Sequence, residues 1–545
     1  MTLGNMAILL AKRCIGWSAF VLPAVIAIFL IMRALWDQNV SDWRYAVALW
    51  GIFAGCAALS YFLLPRVQKR WRFKSIVIWG LPVILILPAT VVTLVFGSLD
   101  MSAFLFHAVF GTEGAPLGSI FMPSFTGATY WLVIVITILR FDRIFAWRFY
   151  VHGAIGCAIL VLNPMLHEIT ETGGDIFWAR YEPLTPAFLP APAYASEAVN
   201  MPDIIFIYLE GVEAGYGDTA AFGNSYAPID RLAENATRFT RIGQAAATGW
   251  SLAGTIATQC GSPLIANAFN VAAELDEGGS ILPNATCLSD ITRERGYVNV
   301  YLAGSELIGS SSSHFGYGNF LTAHGVDRVI DRSVLLAESS GEAASLGGGR
   351  WGFHDEVVFE RALEEIDRRA SDPMPFFLSM STIDTHGPEG FLSPSCRSAG
   401  IAALTMDMGK AVACSTKLAE AFVRKVLERH PDRDMRIVVM SDHLAHHSSS
   451  YEALSARERF NTVLFMMPDI DEARTIERPG TMLDVYPTVL DWLGWLPADQ
   501  NGAGLGRSLF RDPPTLVEKN GLEQLNKSIR SDVAFSRQLW ASEVN

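Results

Sequence analysis

One run of six apolar residues that ends in an acid most constrains how this chain can fold. Residues 204–209 are all apolar, rich in β-branched and aromatic side chains, and followed directly by Glu210. Such a run is typical of a strand that is buried on both faces of a parallel sheet. Ligands of open α/β sheets collect beyond the carboxyl ends of the strands, which favours a chemical or metal-binding role for Glu210. The alternative is a structural acid that pairs with an arginine or caps a helix.

The chain divides into two parts that differ in hydropathy and charge. Of its 545 residues, 50% are hydrophobic and only 18% are charged, which is more apolar than is usual for a soluble enzyme. Residues 1–200 carry 13 Lys/Arg and 10 Asp/Glu (net +3), which leaves 29 and 45 (net −16) for residues 201–545. We therefore expect a membrane-embedded first part. The acidic second part argues against nucleic acid as a partner.

Five apolar runs predict an α-helical membrane domain over residues 1–166. A helix needs roughly 20 apolar residues to cross a bilayer. The candidate spans are 14–32, 45–65, 75–97, 121–139 and 149–166. No small-residue cleavage site precedes the second span, so we expect the first to remain as an anchor. Basic residues cluster in alternate loops, which predicts that those loops face the cytoplasm and that the remaining chain lies outside it, attached to the membrane.

The second part has the pattern of an α/β domain with a mainly parallel central sheet. Proline-rich residues 167–200 predict a linker that is partly interfacial. Over residues 201–510, predicted strands at 204–209, 298–302, 376–380, 436–440 and 462–467 alternate with predicted helices at 252–260, 354–369, 406–427 and 482–493. Residues 511–545 predict a polar tail that is helical near 517–540.

Four of the seven cysteines lie in the second part, at Cys260, Cys287, Cys396 and Cys414. An even number of cysteines in an extracytoplasmic domain predicts disulfides. Three pairings are possible, and the shorter loops favour Cys260 with Cys287 and Cys396 with Cys414. No CxxC spacing is present, which argues against a cysteine zinc site.

Three predicted strands run into polar side chains. Glu210 ends the first, Asp442 and His443 follow the strand at 436–440, and Asp384 and His386 follow the strand at 376–380. Carboxylate oxygens with one imidazole suit Zn²⁺ or Mn²⁺, whereas an all-oxygen set would favour Mg²⁺ or Ca²⁺. The convergence of these strand ends predicts a metal site.

A serine stands where a glycine-containing turn enters a predicted helix. This is Ser251, within the sequence ATGWSLAG at 247–254. The backbone N–H groups and the dipole at a helix start favour an anionic phosphate. Serine at such a position often serves only as an N-cap. Its place after the Glu210 strand favours a nucleophile, because a metal activates a hydroxyl that is otherwise weakly nucleophilic at neutral pH.

Together these motifs resemble the phosphoglycerol transferase I family. The resemblance rests on Tyr-Leu-Glu-Gly at 208–211, Thr-Gly-Trp-Ser at 248–251, Asp-Thr-His at 384–386 and Ser-Asp-His-Leu-Ala at 441–445. Members of that family are membrane enzymes that modify periplasmic glucans. They are similar to lipoteichoic acid synthases within the alkaline phosphatase and sulfatase superfamily. The resemblance covers residues 201–510 and implies an alkaline phosphatase/sulfatase-like fold for them.

The resemblance also implies roles for particular residues. It implies one divalent metal, Mn²⁺ or Zn²⁺ with Mg²⁺ as a third option, whose ligands would be Glu210, Ser251, Asp442 and His443. Ser251 would be the nucleophile, although most relatives have threonine there. His386 would contact the phosphate or the departing oxygen, or alternatively would buttress the site. Substrate contacts are implied for Trp250, Trp351, His354 and Asp384. An Arg and a Trp that hold the substrate in lipoteichoic acid synthases have no counterpart in the sequence GSELIG at 304–309.

The function that this resemblance implies is transfer of a phosphoglycerol group from phosphatidylglycerol to an osmoregulated periplasmic glucan. The reaction would pass through a phosphoglyceryl-serine and release diacylglycerol. The catalytic domain would lie on the periplasmic face of the bacterial inner membrane. One alternative is a phosphoethanolamine transferase acting on lipid A or a glycan. The alternative from another class is an inactive membrane-anchored sensor or scaffold.

Two related activities are disfavoured by sequence. Sulfatases need a modified residue within a Cys/Ser-x-Pro-x-Arg motif, and neither 251–255 nor 260–264 fits it. A two-zinc phosphatase would need further His and Asp ligands. His446 and His447 are close in sequence, but we expect them to form a solvated pair.

Overall fold

This computed structural model describes five stretches of the chain. They are residues 11–27 (without 13, 17 and 20), 43–63, 125–139 (without 138), 181–192, and 201–540 with gaps at 266–280, 308–315, 339–350, 399–401, 447 and 469–472. The chain forms two units, of which the first ends at Glu171.

Within the first unit, helix α1 (Trp43–Leu63) covers most of the predicted span at 45–65. Across the stretches that the structure describes, no helix is both long enough and apolar enough to cross a membrane. The predicted spans at 75–97 and 149–166 lie outside the described residues, as do parts of the spans at 14–32 and 121–139. The membrane domain therefore stays a prediction.

The second unit is built on a central sheet and two small hairpins. The strands are β1 (Asp203–Leu209), β2 (Thr237–Gly243), β3 (Val298–Ala303), β4 (Arg328–Ile330), β5 (Phe376–Ser381), β6 (Gly390–Phe391), β7 (Leu404–Thr405), β8 (Met435–Ser441), β9 (Asn461–Met466), β10 (Arg474–Ile476), β11 (Gly480–Thr481), β12 (Gly502–Ala503) and β13 (Gly506–Arg507). The central sheet has the order β10-β2-β9-β8-β1-β5-β3-β4, with β11 also beside β2. Only β9 runs antiparallel to its neighbours, so the sheet is mixed but mainly parallel.

Helices cover both faces of this sheet. They are α2 (Thr219–Phe222), α3 (Ala227–Ala233), α4 (Ser251–Cys260), α5 (Leu288–Glu294), α6 (Tyr317–Ala323), α7 (Arg332–Glu338), α8 (Asp355–Ala370), α9 (Met408–Arg429), α10 (Tyr451–Ser455), α11 (Met482–Trp492), α12 (Leu516–Asn520), α13 (Leu522–Ser531) and α14 (Val533–Trp540). The four predicted helices correspond to α4, α8, α9 and α11, within two residues at each end.

The central strand β1 is buried on both faces, as its apolar run predicts. Successive side chains of a strand point to opposite faces of the sheet. Ile204, Phe206 and Tyr208 pack into one hydrophobic cluster with α4 and α11, whereas the alternate side chains pack into a second cluster with α8 and α9. One short strand thus joins both halves of the core.

Residues 181–192 of the predicted linker are attached to the domain. The Leu184 amide donates to Asp532 Oδ2 at 2.8 Å, and the Leu189 amide donates to the Gly504 carbonyl at 2.8 Å. The backbone of these residues is therefore bonded to the domain, whereas the interfacial position of the linker stays a prediction.

The C-terminal segment also belongs to the folded domain. Phe535, Leu539 and Trp540 of α14 are buried in the same cluster as β1, and the Asn526 side chain accepts a hydrogen bond from the Ala246 amide at 2.8 Å. Residues that the sequence predicts to be a polar tail therefore pack into the hydrophobic core.

Two disulfides form within the second unit. They link Cys260 to Cys287 and Cys396 to Cys414, which are the pairs that loop length favours. The first fastens the end of α4 to the start of α5, and the second fastens the β6–β7 region to α9.

The burial of Trp540 provides a test of the C-terminal segment. Trp540 is 1% exposed and its indole nitrogen donates to the Ile265 carbonyl at 2.7 Å. Trp540→Ala should lower the free energy of unfolding by about 3–5 kcal/mol, since it leaves a large cavity. Denaturant unfolding of the full chain followed by circular dichroism measures this. Met374→Ala, at a side chain that is 47% exposed, is the control and should change little. Equal effects of the two changes would refute a core role for the segment.

Candidate active site

Three neighbouring strand ends bring the candidate residues together. Strands β8, β1 and β5 are adjacent and parallel, with Leu209 paired to Ser441 and Tyr208 paired to Ser381, so their carboxyl ends lie at one edge of the sheet. Glu210 therefore emerges next to Asp442. The loop after β5 holds the backbone of Glu210, because Thr382 Oγ1 accepts from the Glu210 amide at 2.9 Å and Thr385 Oγ1 donates to its carbonyl at 2.6 Å.

Glu210, Asp442 and His443 form a compact, buried group. One ligand atom from each lies within 4.8 Å of the other two. His443 Nε2 lies 3.3 Å from Glu210 Oε1 and 3.4 Å from Asp442 Oδ2. Two carboxylates and one imidazole with this spacing are a donor set that suits a divalent cation such as Mn²⁺ or Zn²⁺.

The hydrogen bonds around this group leave atoms free to bind a cation. Asp442 Oδ1 accepts from the Gly211 amide at 2.9 Å, but Asp442 Oδ2 is buried and has no hydrogen-bond partner within the described part of the chain. His443 Nδ1 lies 2.8 Å from the Leu444 carbonyl, to which it donates, so the neutral ring has its lone pair on Nε2. An oriented imidazole with a bonded second nitrogen is typical of metal-ligating histidines.

The charges of these three side chains shift one another's pKa values strongly. Burial and the negative charge of Glu210 raise the pKa of Asp442 to about 7. Burial opposes the charged form of His443, but Asp442 and Glu210 raise its pKa to about 10. Burial would also raise the pKa of Glu210, yet the charges of His443 and His386 lower it below its usual value. The cation-free group therefore holds protons that a divalent cation would displace.

Ser251 faces this group from the start of α4. The N-cap of α4 is Trp250, and Ser251 is the first helical residue. The Ser251 side chain makes no cap bond; its Oγ donates to Glu210 Oε2 at 3.1 Å. The N-cap alternative is therefore wrong, because the hydroxyl points to the carboxylate group instead of to the helix backbone.

Helix α4 approaches the backbone of Asp442 very closely at Gly254. A Cβ atom built at Gly254 would lie 1.9 Å from the carbonyl oxygen of Asp442. Only glycine fits this contact, since real Cβ atoms do not approach other atoms so closely. The helix that carries Ser251 is thus packed directly on the backbone of a candidate ligand.

His386 lies half-buried beside Trp351. The two ring centroids are 4.1 Å apart, and His386 Nδ1 donates to the Gly387 carbonyl at 3.0 Å, which leaves Nε2 free in the neutral ring. The charge of His386 is close enough to lower the pKa of Glu210. The structure therefore brings both predicted residues to the side of the cation-binding group.

Asp384 and His354, whose substrate contacts stay predictions, contact each other. Both residues are buried, with Asp384 Oδ1 2.7 Å from His354 Nδ1. Asp384 Oδ2 accepts from Ser393 Oγ at 2.6 Å and from the Asp355 amide at 3.2 Å. Asp384 is a structural anchor for the start of α8, since its oxygens are engaged by the protein. His354 Nε2 makes no hydrogen bond among the described residues.

Trp250 and His446 also differ from expectation. Trp250 is buried in the hydrophobic cluster that contains α4, so it presents little surface to a substrate. His446 is half-buried and bonded to the protein: its ring stacks on His443 with centroids 4.3 Å apart, and its Nε2 lies 2.8 Å from the Gly249 carbonyl. Burial and the charge of His443 lower the pKa of His446 to about 3. His447 lies outside the described residues.

An ion pair that the sequence does not single out braces the loop after β8. Glu213 is fully buried; its Oε1 accepts from Arg459 Nε at 3.0 Å, and its Oε2 accepts from the Ala445 amide at 2.9 Å. Arg459 also donates to the Ala445 carbonyl at 2.6 Å. Glu213 could have been noticed in the sequence because it is an acid three residues after Glu210. Its partner Arg459 could not be identified, because it lies far away in the chain.

A second cluster of candidate ligands does not form a metal site. Cys287, Asp290 and His324 lie close together. Cys287 is bonded to Cys260, so it offers no thiolate. His324 Nδ1 lies 3.0 Å from Asp290 Oδ2, and its Nε2 lies 2.9 Å from the Ile281 carbonyl. These side chains serve the packing around α5.

Comparison with known families agrees with this arrangement. The family model described as Sulfatase matches residues 202–495, which contain β1, α4 and the ends of β5 and β8. The chain belongs to the sulfatase family. This sulfatase-family chain still lacks the Cys/Ser-x-Pro-x-Arg motif of sulfatase activity at 251–255, so its family membership does not make it a sulfatase.

Among curated proteins, the sulfatase-family chain is similar to proteins named phosphoglycerol transferase I. It is 31% identical over 341 residues to that of Xanthomonas campestris pv. campestris, an alignment that covers 62% of this chain and 47% of the relative. It is 29% identical over 355 residues to that of Escherichia coli strain 55989, and this alignment covers 64% of this chain and 44% of the relative. The chain thus matches about half the length of these relatives.

Among solved structures, one similar protein is the lipoteichoic acid synthase LtaP from Listeria monocytogenes. It has a TM-score of 0.47 and 14% sequence identity, with 68% of this chain and 98% of that chain covered.

The close contact at Gly254 gives a prediction for the site. Gly254→Ala should force α4 away from Asp442, lower the free energy of unfolding by about 1–3 kcal/mol and weaken Mn²⁺ binding. Denaturant unfolding and calorimetric titration with Mn²⁺ measure the two effects. Gly217→Ala is the matched control, because its Cβ would meet nothing closer than Tyr226 Cδ1 at 3.5 Å. Wild-type stability and Mn²⁺ affinity in Gly254→Ala would disprove the tight packing.

Proposed function

We propose that the chain is a phosphotransferase that moves a phosphoglycerol group from phosphatidylglycerol to a periplasmic glucan. The observation that carries the proposal is the Ser251 hydroxyl 3.1 Å from Glu210, beside a buried group of two carboxylates and one imidazole. A hydroxyl at a helix start next to a cation-binding group is suited to attack on a phosphate ester. Similarity to proteins named phosphoglycerol transferase I supports the choice of group transferred.

In this proposal, Glu210, Asp442 and His443 hold one divalent cation, Mn²⁺ or Zn²⁺. Such a cation would lower the pKa of the Ser251 hydroxyl and offset negative charge on the phosphoryl oxygens. Glu210 acts as a ligand and not as a proton donor, because the surrounding positive charges lower its pKa and keep it ionised. The N-terminal dipole of α4 adds favourable potential for the phosphate.

The chemical step proceeds in two halves. Ser251 Oγ bonds to phosphorus, the bond from phosphorus to the diacylglycerol oxygen breaks, and the Ser251 proton ends on the departing diacylglycerol. His386, with Nε2 free in its neutral form, contacts the phosphate or the departing oxygen. A glucan hydroxyl oxygen then bonds to phosphorus and the bond from phosphorus to Ser251 Oγ breaks. The glucan proton passes to Ser251 Oγ, which restores the serine hydroxyl and yields the substituted glucan.

The location of the reaction is part of the proposal. The apolar runs in residues 1–166 and the pattern of basic loops support attachment to the bacterial inner membrane with the catalytic domain in the periplasm. A lipid donor explains why the enzyme would stay at a membrane surface. The acceptor is an osmoregulated glucan, either linear or cyclic.

Replacement of the nucleophile tests this proposal. Ser251→Ala should abolish covalent labelling and reduce diacylglycerol release by at least roughly 1,000-fold, since no other group can form the intermediate. Purified full chain with glycerol-labelled phosphatidylglycerol in vesicles, followed by mass spectrometry of the labelled peptide, measures this. Ser251→Thr keeps a hydroxyl and should retain release. Wild-type release by Ser251→Ala would refute the mechanism, and no release by the wild-type chain would favour an inactive scaffold.

The donor headgroup needs its own experiment. Vesicles of phosphatidylethanolamine labelled in its ethanolamine, in place of phosphatidylglycerol, should give no label on Ser251. Label from phosphatidylethanolamine alone would replace the proposal with a phosphoethanolamine transferase. Added linear and cyclic glucans, compared by the label that they take up, identify the acceptor.

The raised pKa values of Asp442 and His443 predict how cation binding depends on pH. Both groups hold protons that compete with the cation, so Mn²⁺ affinity should rise with pH between about pH 6 and pH 8. The rise should approach roughly tenfold per pH unit for each proton displaced. Calorimetric titration with Mn²⁺ at several pH values measures it, and an affinity that is constant or falls over this range contradicts the ligand assignment.

A further inference from the structure

Two segments of the candidate site come from strands that are not neighbours. We call residues 244–251, between β2 and α4, the nucleophile turn, and residues 442–446, after β8, the ligand loop. In the sheet, β9 lies between β2 and β8. Hydrogen bonds of the sheet therefore do not join these segments directly, and side-chain contacts join them in addition to the packing of α4 on Asp442.

Gln244 makes the first of these contacts. Its Nε2 donates to the Thr248 carbonyl at 2.5 Å and to Thr248 Oγ1 at 2.7 Å, while its Oε1 accepts from the Leu444 amide at 2.9 Å. The orientation of the side-chain amide is fixed, since a backbone N–H only donates and a backbone carbonyl only accepts. One side chain thus closes the nucleophile turn and binds the ligand loop.

His446 makes the second contact, two residues further along the ligand loop. Its Nε2 donates to the Gly249 carbonyl at 2.8 Å, two residues before Ser251. Its ring stacks on His443 at 4.3 Å with an angle of 25° between the planes. His443 in turn donates through Nδ1 to the carbonyl of Leu444, the residue that Gln244 binds. The two contacts therefore flank the imidazole of the candidate ligand.

We propose that Gln244 and His446 are positioning residues that set the distance between Ser251 Oγ and the cation-binding group. This inference rests on the proposed function. Each side chain ties the backbone of the nucleophile turn to the ligand loop through protein–protein hydrogen bonds. The cation-binding group itself stays fixed by β1 and β8, so loss of either contact should affect the placement of Ser251 more than the affinity for the cation.

Variants that separate the two contacts of His446 test this role. His446→Phe keeps a ring against His443 but loses the donor to Gly249, whereas His446→Gln keeps a donor and loses the ring. Gln244→Glu keeps the acceptor for the Leu444 amide and loses the donor to Thr248. His430→Phe is the matched control, since the half-buried His430 precedes β8 and contacts Asp367 instead of the nucleophile turn or the ligand loop.

We expect His446→Phe and Gln244→Glu to bind Mn²⁺ as the wild-type chain does but to label Ser251 from phosphatidylglycerol vesicles on the order of 100-fold more slowly. Amide hydrogen exchange of the peptide that covers residues 244–251 should be faster in both variants, without a change in β1. His446→Gln should recover most of the labelling rate. The control should match the wild-type chain in all three measurements.

Two results would overturn the inference. One is wild-type labelling by His446→Phe and Gln244→Glu; the other is a parallel loss of labelling, Mn²⁺ binding and thermal stability, which would make both residues general structural ones. If the wild-type chain binds Mn²⁺ and labels Ser251, either result leaves the proposed function intact. A wild-type chain that does neither refutes the proposed function, and the positioning role falls with it.

Discussion

Two buried carboxylates that face one imidazole are the constraint on which the candidate site depends. Each ion removed from water costs several kcal/mol unless it is paired. Burial and the charge of Glu210 raise the pKa of Asp442, since one imidazolium can balance only one of the two carboxylates. A divalent cation would balance both carboxylates and would leave His443 to bind as a neutral ligand. Asp442 Oδ2, which is buried without a hydrogen-bond partner among the described residues, fits that arrangement.

The parallel sheet supplies the rigidity that such a group needs. Strands β8, β1 and β5 end at the same level, so their first loop residues meet without long connections. Gly211, with φ near +59°, turns the chain after Glu210 and directs its amide to Asp442 Oδ1 at 2.9 Å. A residue with a Cβ adopts that conformation at a cost, which explains glycine at this position. The ligands are therefore held by backbone bonds as well as by packing.

The sequence predicts the parts of this site that follow directly from local pattern. Glu210, Asp442 and His443 could be found because each follows a buried apolar run, and the start of α4 could be found from the glycine-containing turn before Ser251. The same pattern failed at β2, because a register shift between Phe239 and Ile242 leaves Arg241 exposed and interrupts the alternating burial. For residues 1–166, the prediction of a membrane domain rests on hydropathy alone.

Residues whose role depends on a distant partner could not be interpreted from sequence. Asp384 stands in a motif that suggests chemistry, but its oxygens are taken by His354 and Ser393, from other parts of the chain. His446 looks like a surface histidine until the Gly249 carbonyl is placed beside it. In both cases the side chain's chemistry was evident and its partner was not, because the partner is set by tertiary packing.

The direction of the Ser251 hydroxyl follows from how the rest of α4 is held. Thr255 Oγ1 lies 2.5 Å from the Tyr317 hydroxyl, and Thr258 Oγ1 lies 2.9 Å from the Tyr208 hydroxyl, both in the interior. Rotation of α4 about its axis would break these bonds, each of which contributes roughly 0.5–1.5 kcal/mol. The contact of Gly254 with Asp442 opposes the same rotation from the other side. Buried tyrosines below the site therefore help to keep Ser251 directed at Glu210, although none of them is near enough in sequence to suggest it.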